Sequence, residues 1–412
     1  MTRAAPARPA ERPPEPRCLL TINGGSSSLK FATYALDPAA PLVAGRIERI
    51  GLSSPLFTRA RAGGAEEQQP VAAADHMGAL QALTAWLDEQ DLLPAIAAAA
   101  HRVVHGGPRY SEPQRITPSL LDELRTLSAY APEHLPAEIQ LIEELGRRCP
   151  EVPQFACFDT AFHRHMPRVA RMLAIPRRYD AQGIERYGFH GLSYSYLTEE
   201  LARLGPPGAA QARVILAHLG NGASLAAVRD GRSIDTSMGF TPAAGLPMST
   251  RSGDLDPGLV WYLEQHEHLT AAEFHRMVNH ESGLAGISET SSDMRDLLAL
   301  ENTDTRAAEA IMLFCYQTKK WMGAFAAALG GLDTIVFSGG IGEHCPSIRR
   351  RICDGLGFLG VELDEARNTD NAPVISTIAA RVTVRVIRTD EELMMARSVA
   401  RLLESDASGH TG

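Results

Sequence analysis

No stretch of this sequence approaches the ~20 apolar residues that a membrane-spanning helix requires, so no membrane association is expected. Its six cysteines (Cys18, Cys149, Cys157, Cys315, Cys345 and Cys353) are scattered, with no CxxC pair. In 412 residues that is not a disulfide framework, and a reducing cytoplasm is the expected setting. Positive charge is not in excess either: 40 Lys and Arg against 49 Asp and Glu give a net charge of -9, with no general attraction to nucleic acid. Residues 1–17, rich in Ala, Pro and Arg, lack the apolar core of a secretory signal and read as a disordered extension. The polar residues 405–412 read as a disordered tail.

What is present is a chain 44% hydrophobic, long enough for two or three domains. Several short apolar runs end in glycine turns, as in "CLLTINGG", "VILAHLGNG" and "TIVFSGGIG". Between them lie helical patterns over 79–92, 120–130, 136–146 and 305–329. The last is apolar on most of its circumference, which predicts burial. Strands alternating with helices indicate an α/β protein. A coarse repeat is visible too. "TINGGSSSLKFATY" and "VILAHLGNGASLAAVRDGRSID" both read strand, Gly/Ser turn, strand, and the second adds a turn at Asp230-Gly231. Such duplication suggests two similar domains facing each other across a cleft.

The loops carry the candidate chemistry. Asn23 to Ser28 has the composition of a linker, but strand patterns flank it closely, which makes it a hairpin loop. It is either a plain turn or an anion cradle of backbone N–H groups and serines. It is not a Walker A loop, because Lys30 falls inside the next strand. In "HRVVHGG" the two histidines lack the glutamate of HExxH, which weighs against zinc. Read as a strand, the segment puts Arg102 and Val104 on one face, where an arginine beside an aliphatic wall suits a small anion with a methyl group; the alternative is a structural salt bridge. "FACFDTAFH" ends a buried strand at Asp159, a position suited to Mg²⁺ or to a helix cap. His190 in "YGFHG" is a lone histidine. Residues 235–257 form a long Gly/Ser/Thr/Pro stretch holding Arg251. Near the end, Thr389 and Glu392 have capping-box spacing, which leaves Glu391 free for chemistry.

In order, "INGGSSSLKF", "HRVVHGG", "FDTAFH", "RYGFHG", "HLGNGAS", "DTSMGFTP", "TRSGDLDP", "SSDMRDL", "FSGGIGE" and "TDEELMMAR" resemble the motifs of the acetate kinases, within the acetate/sugar kinase, Hsp70 and actin superfamily. The resemblance runs from about Leu20 to Leu403. It implies two duplicated actin-like (ribonuclease H-like) α/β domains with an interdomain active-site cleft. The N-terminal domain would span 18–159, completed by a C-terminal helix over 392–404, and the nucleotide-binding domain 160–391. The implied activity is reversible phosphoryl transfer between ATP and acetate, giving acetyl phosphate and ADP by direct in-line transfer in a cytoplasmic homodimer. Kinases for propionate, butyrate or a more polar acid, and an inactive nucleotide-binding regulator, are the alternatives.

By the same resemblance, the catalytic residues are Arg102, Asp159, His190, Arg251 and His134. Arg102, with Val104, Phe189 and Pro242, forms the acetate site. Asn23, Lys30, His218, Gly220, Asn221, Gly222, Asp293, Met294, Arg295, Gly339, Gly340, Ile341 and Gly342 bind ATP. Asn23, Asp159 and Glu391 hold Mg²⁺, or Mn²⁺ in its place. The chain departs from the family pattern at several points. Glu133 and Leu135 replace a leucine and an asparagine, Leu192 and Tyr194 a threonine and a histidine, Ser249 a glycine and His344 an asparagine. A carboxylate at Glu133 beside the acyl site would repel an anionic substrate unless protonated, paired or turned away.

Overall fold

A computed structural model of the chain describes residues 17–25 and 27–409. Residues 1–16 and 410–412, which carry most of the expected extension and the end of the expected tail, lie outside them.

The strands of the first sheet are β1 (Cys18–Gly24), β2 (Ser28–Ala35), β3 (Pro41–Glu48), β4 (Leu56–Arg61), β5 (Glu67–Pro70), β6 (Ile96–Val103), β7 (Gln114–Arg115) and β8 (Gln154–Phe158). They are ordered β5-β4-β3-β2-β1-β6-β8-β7. The second sheet contains β9 (Val214–Leu219), β10 (Ala223–Arg229), β11 (Arg232–Thr236), β12 (Thr334–Ser338) and β13 (Thr383–Val386), ordered β11-β10-β9-β12-β13. The run β3-β2-β1-β6-β8 has the same order as the second sheet. In each, the first hairpin is antiparallel and the later two strands are parallel to the hairpin's first strand. The repeat read from the two glycine-rich turns is therefore a duplicated fold.

Burial explains the strand sequences. β1 is buried throughout because both faces of the sheet are covered. Alternation sends Cys18, Leu20 and Ile22 into a core with Phe31, Phe57 and Trp86, and sends Leu19 to the opposite face. That opposite face is covered by the final helix, Glu391–Gly409, through Leu393, Met394, Met395, Ala396, Val399 and Ala400. Asp230 and Gly231, both at positive φ (56° and 69°), form the left-handed two-residue turn between β10 and β11.

Three expectations change. The helix Thr305–Leu329 is not buried all round: Ala307, Ile311, Phe314, Thr318, Met322 and Phe325 form its inner stripe, while Met312, Leu313 and Tyr316 are exposed. The final helix starts at Glu391 and runs past 404 to Gly409, so 405–409 are helix and not frayed tail. Hydroxyls of Ser405 and Ser408 donate back to Leu402 and Glu404 carbonyls in this last stretch, a pairing that helices accommodate. No Thr389/Glu392 capping box forms. Asp390 Oδ1 accepts the Leu393 N–H at 2.8 Å, Thr389 Oγ1 turns to Ser193 Oγ and Glu392 turns to Asn23. Among the described residues, no helix is long and apolar enough to cross a membrane.

Candidate active site

Between the two sheets opens a cleft of about 1080 Å³. The two glycine hairpins enter it from opposite sides: Asn23, Gly25, Ser27 and Ser28 from β1–β2, and Gly220, Asn221 and Gly222 from β9–β10.

Strand alternation on β6 turns Arg102 into the cleft while His101 and Val103 stay in the core. The guanidinium grips Asp159 Oδ2 through Nη2 (2.5 Å) and Nε (3.1 Å). Asp159 follows directly after β8 and is buried, and its Oδ1 has no hydrogen-bond partner among the described residues. Burial lifts its carboxyl above the usual range, and Arg102 opposes that shift. For Glu391, burial alone would do the same, but Arg102, His218, Lys30 and the Asn23 amide outweigh it and hold that carboxyl low. Asn23 Nδ2 donates to Glu391 and Glu392, each at 3.1 Å, so this residue ties the first hairpin to the start of the final helix.

"GFHG" has a geometric reason. A Cβ on Gly191 would lie 2.1 Å from the Asp159 carbonyl oxygen, so only glycine lets this turn pack on the end of β8. His190 itself sits at φ 59°, an uncommon conformation for a side-chain-bearing residue. Its Nδ1 is 2.8 Å from Ser224 Oγ, and its ring stacks on His218 at 4.3 Å. Burial first, then His218, Arg102 and Arg251, hold the imidazole neutral. His134 is likewise pushed down, to about 3, by burial and by Arg102, Arg251 and His280. His218 is braced through Ser193 Oγ to Thr389 Oγ1, two contacts of 2.8 Å.

Arg251 lines the same cleft. Its Nη1 donates to the Pro242 carbonyl at 3.3 Å, and among the described residues no carboxylate lies within ion-pair distance of it. Val104, Phe189 and Pro242 line the cleft near these cations. Lys30, His218, Asp293, Met294, Arg295, Gly339, Gly340 and Ile341 line it as well. Asp293 caps the helix Met294–Leu300 and pairs with Arg295 at 2.5 Å. Gly342 is the exception. In the helix Gly339–His344 it faces β9, where a Cβ would meet the Ala217 carbonyl and Leu219 at 3.7 Å, and it lies outside the cleft.

Glu133 is exposed and does not line the cleft. Its carboxylate pairs with His280 Nε2 (2.9 Å) and His275 Nδ1 (3.7 Å) on the helix Ala271–His280. The carboxylate is thus paired with histidines outside the cleft, while its charge still reaches Arg251 and favours the charged guanidinium.

Sequence reading missed Glu138, Glu343, Ser193, Ser224 and the role of Glu392. Glu138 had a signal: it falls on the apolar stripe of the helix Leu135–Arg148, with Leu135, Ile139 and Ile142. Its Oε2 accepts the Val104 N–H at 2.9 Å, and its Oε1 lies 3.7 Å from Arg102 Nη1. Glu343 joins the Gly339 and Thr389 amides, an arrangement that local pattern could not reveal. Among the described residues, no group of three or more His, Cys, Asp or Glu side chains encloses a metal. Asp159 Oδ1 and Glu391 nevertheless offer the one or two carboxylates that magnesium takes when water and phosphate supply the rest.

A duplicated actin-like α/β fold, with a glycine hairpin from each half and arginines between them, defines a phosphotransferase of the actin-like class. The chain belongs to the acetokinase family, whose model matches residues 18–397. It is 44% identical over 404 residues to the acetate kinase of Methylocella silvestris, covering 95% of this chain and 99% of that one. The crystal structure of Porphyromonas gingivalis acetate kinase superposes with a TM-score of 0.85 at 34% identity, over 94% of this chain and 100% of that one. That of a Francisella tularensis propionate kinase superposes at 0.87 and 36% identity, over 93% and 98%.

Proposed function

We propose that the protein is an acetate kinase, reversibly transferring a phosphoryl group between ATP and acetate to give ADP and acetyl phosphate. The observation that carries this reading is Arg251, a cleft cation with no carboxylate within ion-pair distance among the described residues, facing the same space as Arg102 and the wall of Val104, Phe189 and Pro242. In this reading the apolar wall receives the acetate methyl, and the arginines hold the carboxylate. An acetate oxygen forms its bond to the γ-phosphorus as the bond to the β–γ bridging oxygen breaks, and ADP departs. The reaction needs positioning and charge neutralisation more than covalent chemistry. Arg251 and Arg102 meet the spreading charge with fixed N–H donors. His190 and His134, both neutral, contribute hydrogen bonds without adding charge.

Asp293, Met294, Arg295 and Gly339 to Ile341 are assigned to adenosine, and Asn23, Lys30, His218, Gly220, Asn221 and Gly222 to the phosphates. Asp159 and Glu391 would hold Mg²⁺, or Mn²⁺, which would neutralise phosphate charge. Asn23 turns its amide nitrogen to two carboxylates, which suits bracing them better than ligating metal. A cytoplasmic setting accords with six free cysteines. Homodimerisation is supported by exposed Trp261 and Tyr262 on one helix and Met312 and Tyr316 on another, and light scattering tests it.

The deciding experiment traps acyl phosphate with hydroxylamine over a panel of acids. Acetate giving the highest kcat/KM supports the assignment. Propionate or butyrate winning reassigns the substrate, and ATP binding without any acyl phosphate identifies a nucleotide-binding regulator.

A further inference from the structure

A neutral imidazole carries one proton, so His190 can offer the cleft either a donor or a lone pair. Only a donor would help a phosphoryl oxygen. What decides between the two lies behind the ring, on the side away from substrate.

His190 Nδ1 is 2.8 Å from Ser224 Oγ, and Ser224 Oγ is in turn 2.5 Å from the Tyr194 hydroxyl. Tyr194 and Ser224 are fully buried. The backbone N–H of His218 also faces the phenol oxygen. Burial keeps the phenol protonated. Its proton needs an acceptor, and among the described residues Ser224 Oγ is the only one in reach. Ser224 therefore accepts from Tyr194 and must spend its own proton on His190 Nδ1. That leaves the imidazole proton on Nε2. This nitrogen points toward the glycine turn of the second hairpin: a Cβ on Gly222 would lie 3.0 Å from it and 3.7 Å from Arg251 Nη1.

We infer that Tyr194 is a positioning residue for the reaction: through Ser224 it fixes His190 as the Nε2–H tautomer, so that a hydrogen-bond donor faces the transferring group beside Arg251. The tyrosine stands where the resembled family usually has histidine, so this chain sets the polarity of the relay with a phenol. The inference rests on the reading that His190 meets the phosphoryl group, and the test separates the two.

The tautomer is read directly by ¹⁵N NMR of histidine-labelled protein, with His190→Gln assigning the resonances. The wild type should show protonated Nε2 and bare Nδ1 at His190. Tyr194→Phe, nearly isosteric, frees the Ser224 proton; both tautomers should then appear, and kcat should fall about tenfold or more, with both KM values within about twofold. Ser224→Ala should do the same, and Tyr194→His, which restores a ring N–H donor, should recover part of the rate. An Nδ1–H tautomer in the wild type overturns the inference, as does an unchanged tautomer in both Tyr194→Phe and Ser224→Ala. A mixed tautomer with unchanged kcat overturns the catalytic role of the relay. If the wild type forms no acyl phosphate while the tautomer still responds to Tyr194→Phe, the proposed function fails and the relay stands.

Discussion

Replacing Glu138 by glutamine should make the protein's stability less sensitive to pH, and the structure gives the size of the effect. The Glu138 side chain is only 4% exposed and accepts the Val104 N–H through one oxygen. Its other oxygen has no hydrogen bond and sits 3.7 Å from Arg102 Nη1. Burial lifts the carboxyl from 4.5 to about 7, with Arg102 opposing. In the window between those values the native state keeps a proton that the unfolded chain has released. Stability from this group is thus complete below about pH 4.5 and is lost as pH rises through about 7. The gap between those two values corresponds to ~3 kcal/mol. Glutamine keeps an acceptor for the Val104 amide and removes the titration. In urea titrations at pH 5, 6, 7 and 8, followed by circular dichroism, the variant should gain on the wild type by about that amount across the range. Parallel curves would refute the reasoning: they would mean that Arg102 keeps Glu138 ionised throughout, despite its burial.

Arg251→Ala should lower kcat by ~10³-fold or more in the hydroxylamine assay, as expected for an arginine that stabilises phosphoryl transfer. A loss under tenfold would remove Arg251 from the chemical step. Gly222→Ala puts a methyl 3.0 Å from His190 Nε2 and should cut kcat while leaving the melting temperature within a few degrees; full activity would show that the phosphoryl group does not pass there. Glu133→Leu should change the KM for acetate by less than threefold, because the carboxylate faces His280 and His275. A tenfold fall in that KM would mean that Glu133 repels the substrate after all.

Much of the fold was legible because its punctuation is local. The Asn23–Ser28 and Leu219–Ala223 turns carry their own Gly, Asn and Ser signals, and each joins strands that pair in register. Helix outlines were legible for the same reason, but their exposure was not. The sequence of 305–329 does not reveal that Met312 and Tyr316 face outward, because exposure depends on what packs against the helix. The capping box failed because tertiary partners outcompeted a local bond: Thr389 found Ser193, and Glu392 found Asn23. The cleft residues were found through motifs, and all but Gly342 line one cavity. The residues behind them, Glu138, Ser193 and Ser224, were missed, since a buried polar group declares itself only when its neighbours are known.

The final helix gives the protein an order of manufacture. Leu19, Ala32, Tyr34, Ala98 and Ala100 form one face of the first sheet, and most of what covers them is Leu393 to Ala400. During synthesis that apolar face is already made and waits, uncovered, for nearly the whole chain to follow it. Asn23 likewise waits for Glu391 and Glu392. A ribosome that stalls inside the second half releases a sheet with a bare hydrophobic side, a target for chaperones and proteases. The β1–β2 hairpin is made long before the helix that completes its part of the cleft, so a chain cut short before Glu391 lacks the partners of Asn23.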